Sequence, residues 1–164
     1  MKIIYLFFSI IVFVSTQVFA ETEVYFSPNG GCTNAIINEI KKAEKTIDIM
    51  MYSLSSRPIA NELINAKNRG VIIRILADKG QRKQKFTSCR YLSNNSVAVR
   101  YDTGHGLMHN KVGIIDEKVL ITGSFNWTGQ AEKKNAENLL ILTDKELIMK
   151  YHKRFEYLWN KGRE

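Results

Sequence analysis

Four polar residue types suited to phosphate chemistry crowd into HNKVGIIDEKVLITGSFNWT, residues 109 to 128. His109 and Lys111 come first, Asp116 follows, and Ser124 and Asn126 stand just behind Gly123. An imidazole can attack phosphorus or pass a proton. An ammonium, a hydroxyl and an amide can hold the non-bridging oxygens of a phosphate while charge builds on them. Taken singly, each of these residues is structural more often than not. Their joint pattern, H-x-K-x4-D-x6-G-S-x-N, sets six residue types over one short stretch.

Side chains alternate along a strand, so a strand across LMHNKVGIID turns His109 and Lys111 to one face. Gly113 continues that face without a side chain, which predicts open space beside the pair. A tight turn at Asp116–Lys118 brings the chain back, and Ser124 and Asn126 can then converge on the same pocket. Asp116 falls on the opposite face and is not expected to act as a base. Phe125 and Trp127 flank Asn126, and both base contact and simple packing stay open for them. His105, in the glycine-rich TGHGLMHNK, is either an entrance residue or a plain loop residue. His152 is expected on the outer face of the last helix.

The elements that must position these residues follow from hydrophobic periodicity. Glu23–Phe26 reads as a short strand, 33–45 as a helix with Ile36, Ile40 and Ala43 on one stripe, and 46–55 as a strand. Pro58 suits a helix start, and Gly70 a helix end. The run VIIRILA, 71–77, is a buried strand. This alternation predicts an α/β domain with a mixed, mostly parallel sheet flanked by helices. Residues 78–96 read as a short helix and loop, 97–101 and 136–143 as further strands, and Asp144 as the cap of a closing helix.

The chain has 164 residues, enough for one domain with a substantial core. It carries 24 Lys and Arg against 16 Asp and Glu. That surplus favours a polyanionic partner, nucleic acid or an anionic membrane surface. Lys79, Arg82, Lys83 and Lys85 precede Phe86, a mixture that can track and stack a single strand, or that simply solvates a surface. Residues 1–20 show the order of a secretory signal: one lysine, an apolar run, and Val18-Phe19-Ala20 before Glu21. An uncleaved membrane anchor is the rival reading. Either way the surplus of charge stays with residues 21–164, because the leader holds one lysine and no acid. Export reaches an oxidising compartment, so Cys32 and Cys89 are expected to pair. Such a disulfide could contribute about 4 kcal/mol in the entropic model. Two distant cysteines make a structural zinc site a poor fit, and no cofactor or metal is expected.

HNKVGIID followed by GSFNW resembles the HKD motif of the phospholipase D superfamily, and MYSLSSRPIANELINAKNRGVIIRILAD is similar to the upstream strand-helix-strand of its small, exported bacterial endonucleases. The mitochondrial cardiolipin hydrolase and Zucchini-type nucleases are also similar. The resemblance implies a phospholipase D-like fold and metal-free hydrolysis through a phosphohistidine. It makes His109 the nucleophile and Lys111, Ser124 and Asn126 the phosphate ligands. It makes Glu137 the acid that hydrogen-bonds the histidine, and Asp116 structural. Single-motif members pair, which implies a homodimer with a shared site. The expected substrate is DNA or RNA. A phospholipid head-group phosphodiester is the alternative, and a non-catalytic nucleic-acid-binding protein the third reading.

Overall fold

The computed structural model describes residues 20–164, so all but the last residue of the predicted leader, 1–19, lies outside the described residues. Seven strands build one sheet: β1 (Thr22–Ser27), β2 (Thr46–Met51), β3 (Ile72–Asp78), β4 (Ala98–Asp102), β5 (Lys111–Ile115), β6 (Val119–Gly123) and β7 (Glu137–Leu142). Their order across the sheet is β1-β7-β6-β5-β2-β3-β4. The α/β expectation holds, and the sheet is mixed. Its parallel share is smaller than the sequence suggested. Only β2 pairs with β3, and β3 with β4, in parallel; the other four pairings are antiparallel. The difference arises at β1, which joins the far edge beside β7 instead of neighbouring β2.

Helices cover both faces. Helices α1 (Cys32–Lys42), α2 (Arg57–Asn68) and α3 (Cys89–Asn94) share one side, and α5 (Lys145–Trp159) lies on the other. Strand alternation divides the core between them. Ile47, Ile49 and Met51 of β2 join Ile36, Ile59 and Leu63 on the first side, while Met50 and Leu76 meet Ile148, Phe155 and Leu158 on the second. Asp144 caps α5 as expected, its carboxylate accepting the Leu147 N–H at 2.7 Å. A short helix that the periodicity did not reveal, α4 (Gly129–Lys133), is capped by the Thr128 hydroxyl. Glu132 of α4 in turn caps α1, accepting the N–H groups of Gly31 and Thr33 at 3.2 and 2.7 Å.

Two expectations are corrected here. Cys32 and Cys89 are free, not paired. They sit in α1 and α3, and α2 packs against both of those helices. Each thiol is fully buried in the apolar core, and burial pushes the Cys32 thiol up to about 11. His152 is not on the outer face of α5. It is half-buried, with Nε2 3.3 Å from Glu156 and 3.7 Å from the buried carboxylate of Asp48. Arg74 clamps that carboxylate with two hydrogen bonds of 2.7 and 2.8 Å and reaches Glu156 at 2.6 Å.

Candidate active site

The C-terminal ends of β2, β3, β4 and β6 and the N-terminal ends of β5 and β7 meet at one end of the sheet. Lys111 opens β5 opposite Met51 of β2. The β5–β6 register pairs Gly113 with Ile121, and two more residues place Lys111 opposite Gly123. Ser124 therefore follows directly on the neighbouring strand, and Glu137 opens the strand after that.

His109 lies two residues ahead of β5, in the irregular segment that leads into it and not within the strand itself. The Tyr52 N–H donates to the Asn110 carbonyl at 2.9 Å and carries the pairing one step beyond the ladder. Buried Asp78 accepts the Met108 N–H at 2.8 Å and holds the approach from the other side. The imidazole is exposed. Its Nδ1 is 3.1 Å from Nζ of Lys111, which also donates to the His109 carbonyl at 2.8 Å. Nε2 is thereby the nitrogen turned outward. Tyr52 packs its ring 4.5 Å from the imidazole, and the Lys111 ammonium lies 4.9 Å from the same ring.

Lys111 is buried and has no carboxylate in salt-bridge contact among the described residues. Burial lowers its pKa below the ordinary lysine value, and the charge of Glu137 opposes that shift. Glu137 does not hydrogen-bond His109; its carboxylate accepts from the Asn135 amide at 3.0 Å. The expected acid–histidine contact is thus replaced by a charge interaction between Glu137 and Lys111.

Ser124 is fixed by Asn138, whose N–H donates to its hydroxyl at 3.1 Å and whose carbonyl accepts the Ser124 N–H at 3.1 Å. Gly123 has φ +135°, and a Cβ there would lie 2.4 Å from the Asn138 carbonyl oxygen. Only glycine allows this close pairing. Asn126 lines a hollow of about 270 Å³ with Tyr52, Ser55 and Gln130, and its Oδ1 is buried without a partner. An orphaned amide oxygen is costly unless something fills the role of donor.

Phe125 and Trp127 settle on packing: they are 0% and 1% exposed. The space beside Gly113 is not open, as the sequence suggested, because Trp127 fills it. A Cβ on Gly113 would lie 3.1 Å from the indole. Asp116 turns away from the site and accepts the N–H groups of Glu44, Lys45 and Thr46 at 2.8 to 2.9 Å. Of the basic cluster, Lys79 reaches the site, donating to the His105 carbonyl at 3.0 Å. Arg82 is drawn to the Glu164 carbonyl and the Tyr101 ring. Lys83, Lys85 and Phe86 stand exposed on the loop that follows.

Tyr52, Asp78 and Asp102 also contribute, and none of them stands in the HNKVGIIDEKVLITGSFNWT stretch. Aspartates at the ends of two adjacent predicted strands were a usable signal for the last two; Tyr52, inside MYSLSS, offered none. Asp48, His152 and Glu156 bring ligand atoms close enough together for a metal. The Arg74 guanidinium already bridges both carboxylates, so a cation of the protein's own fills that place.

Residues 36–159 match the family model described as the cardiolipin synthase, PLD-like domain. The chain belongs to the phospholipase D superfamily. It is 48% identical over 126 residues to the phospholipase D of Rickettsia conorii, covering 77% of this chain and 63% of that protein. It is 33% identical over 118 residues to the mitochondrial cardiolipin hydrolase of Xenopus tropicalis, covering 72% of this chain and 56% of that protein. Nuc, a phospholipase D family member from Salmonella typhimurium, superposes with a TM-score of 0.83 at 31% identity, covering 88% of this chain and 97% of that one. NucT from Helicobacter pylori superposes at 0.82 and 25% identity, covering 88% and 98%.

Proposed function

We propose that the chain hydrolyses phosphodiester bonds of nucleic acid, with His109 as nucleophile and no metal. The observation that carries this reading is an exposed imidazole held at Nδ1 by a buried lysine that lacks a carboxylate partner. An ammonium left unpaired in a half-closed site is suited to an anion. The basic surface and the exposed Lys83, Lys85 and Phe86 extend the same preference to a single-stranded polyanion.

A scissile phosphate draws the Lys111 ammonium onto a non-bridging oxygen, and the Ser124 hydroxyl and the Asn126 amide complete the cradle. That releases Nδ1 to carry the ring proton and leaves Nε2 with its lone pair for attack. Glu137 balances the charge that then develops. Nε2 bonds to phosphorus, the bond to the leaving oxygen breaks, and that oxygen takes a proton from a second acid. Water then attacks phosphorus, gives up a proton to the same group, and releases His109 with a phosphomonoester. We assign the second acid to His109 of another copy in a two-fold dimer, since that supplies two imidazoles to one phosphate. We further place the protein outside the cytoplasm, delivered or anchored by residues 1–20.

The second reading is a phospholipid head-group phosphodiester. Leu107, 59% exposed at the rim of the hollow that holds His109, favours it. One experiment separates the readings: purified residues 21–164 incubated, with chelator present, on single- and double-stranded DNA, RNA and phosphatidylcholine vesicles. Cleavage of nucleic acid without metal supports the proposal. Hydrolysis of the vesicles alone, or dependence on added metal, overturns it.

A further inference from the structure

Two side chains that the chemistry at His109 leaves unused stand in the same hollow. His105 and Arg154 line, together with His109 and Asn110, a cavity of about 310 Å³. That lies at the small end of the roughly 300–1,000 Å³ typical of ligand sites. His105 is held in place from two sides. Its Nδ1 lies 2.7 Å from Oδ2 of the buried Asp102, whose other oxygen accepts the Gly104 N–H at 2.9 Å. Its carbonyl accepts from Lys79 at 3.0 Å. With Nδ1 given to Asp102, Nε2 is the nitrogen left for a ligand.

Arg154 projects from the exposed face of α5, its guanidinium 5.4 Å from the Tyr157 ring centroid, with no carboxylate partner among the described residues. A planar guanidinium with no carboxylate partner is a ready phosphate fork. A phosphate oxygen at Nε2 would place the His105 ring between two anions, Asp102 and the ligand, as a donor to both. The ammonium of Lys79 adds positive charge behind it.

We propose that this hollow is a subsite for the phosphate next to the one being cut, with Arg154 and His105 as its donors. The inference rests on the nuclease reading above and deepens it. The preferred substrate carries at least two consecutive phosphodiesters, and an isolated diester forgoes the flanking contact. His109 chemistry is the same for both. The subsite acts on selectivity between them.

The test compares the full domain with His105→Gln and Arg154→Gln on two substrates: a trinucleotide, and bis(p-nitrophenyl) phosphate, which has a single phosphate. The readout is the ratio of kcat/KM values, trinucleotide over small diester. Each variant is expected to lower that ratio about tenfold, the size of one hydrogen bond to a charged group. Two sites of substitution, one in a loop and one on an exposed helix face, guard against a folding defect in either. A ratio unchanged in both variants, whether because both rates fall together or because neither moves, overturns the subsite. A wild-type domain that cuts the small diester and not the trinucleotide overturns the nuclease reading, and the subsite with it.

Discussion

Two clusters of charged and imidazole side chains lie on this sheet, and they have opposite characters. On the α5 face, Asp48, Arg74, His152 and Glu156 satisfy one another: two carboxylates share one guanidinium, and the imidazole bridges them. At the strand ends, Lys111 is buried with only an imidazole and a carbonyl for partners, and Asn126 Oδ1 has none. The first cluster is closed within the protein. The second is incomplete: its ammonium is left to pair with an anion, and the Asn126 amide oxygen still lacks a donor. A polar group buried at a cost and left unsatisfied is the better pointer to a site than a dense collection of acids and histidines. Substitutions in the open cluster are therefore expected to act on rate, and substitutions in the closed one on stability.

The largest expected effect is on rate. On the proposed mechanism His109→Ala removes the nucleophile, with no neighbouring group assigned to attack phosphorus in its place. Phosphodiesterase activity is expected to fall by about a thousandfold or more. The ring is exposed and leaves no core cavity, so the urea midpoint should stay where it is. Steady-state kinetics and a urea titration on the same preparation measure both. Retention of more than a few per cent of the rate, or a large shift in midpoint, would erase the contrast between the clusters.

Arg74→Met is the mirror experiment. It strands the Asp48 carboxylate, which is 3% exposed, without its two hydrogen bonds. Breaking a buried pair from one side costs about 3–5 kcal/mol; Arg74 and Glu156 are partly solvated, so about 2–3 kcal/mol is expected here. Activity per folded molecule should be little changed. A loss of activity without a loss of stability would mean that the closed cluster communicates with the site.

Asp116 sharpens the same comparison at smaller scale and through pH. Burial pushes its carboxyl up, but the N–H groups of Thr46, Glu44 and Lys45 outweigh that and hold it below its ordinary value. A depressed folded pKa contributes stability that is present above the unfolded value and is lost as pH falls through the folded one. Asp116→Asn should therefore cost about 1–2 kcal/mol at neutral pH, and the gap between variant and wild type should close only below about pH 3.9, the ordinary aspartate value. Urea titrations at several pH values read this directly. A gap that persists unchanged into strong acid would assign the loss to packing and not to the charge.

Much of this could be read from the chain, and the failures share a cause. Strands, helices and the capping Asp144 were legible because hydrophobic period and cap chemistry are local. The convergence of Lys111 and Ser124 was legible because two strands and a tight turn determine their own register. Long-range choices were not. Nothing near Thr22–Ser27 says that this strand pairs with β7. Nothing near Gly113 says that Trp127 fills the space above it, because Trp127 is placed by a bridge to Leu54 and by the Ser55 and Ser56 N–H groups. His152 departs from the outer face expected for it because it meets Asp48, which lies on a strand far away in sequence.

The cysteines illustrate that limit, and they carry the smallest expected effect. A compartment argument says that two thiols can be oxidised; it says nothing about their separation in the fold. Cys32 and Cys89 are each 0% exposed, on helices α1 and α3 that both pack against α2. Burial raises both thiol pKa values, and exchange needs the thiolate. The thermal midpoint should therefore be the same with and without reductant, to within about 1 °C, where loss of a native disulfide would cost about 2–5 kcal/mol and lower it by many degrees. A thiol reagent should count no fast-reacting group in the native domain and two after denaturation without reductant. A count of zero after denaturation would show that the thiols had paired, which requires α1 and α3 to meet across α2 and would overturn this arrangement of the helical layer.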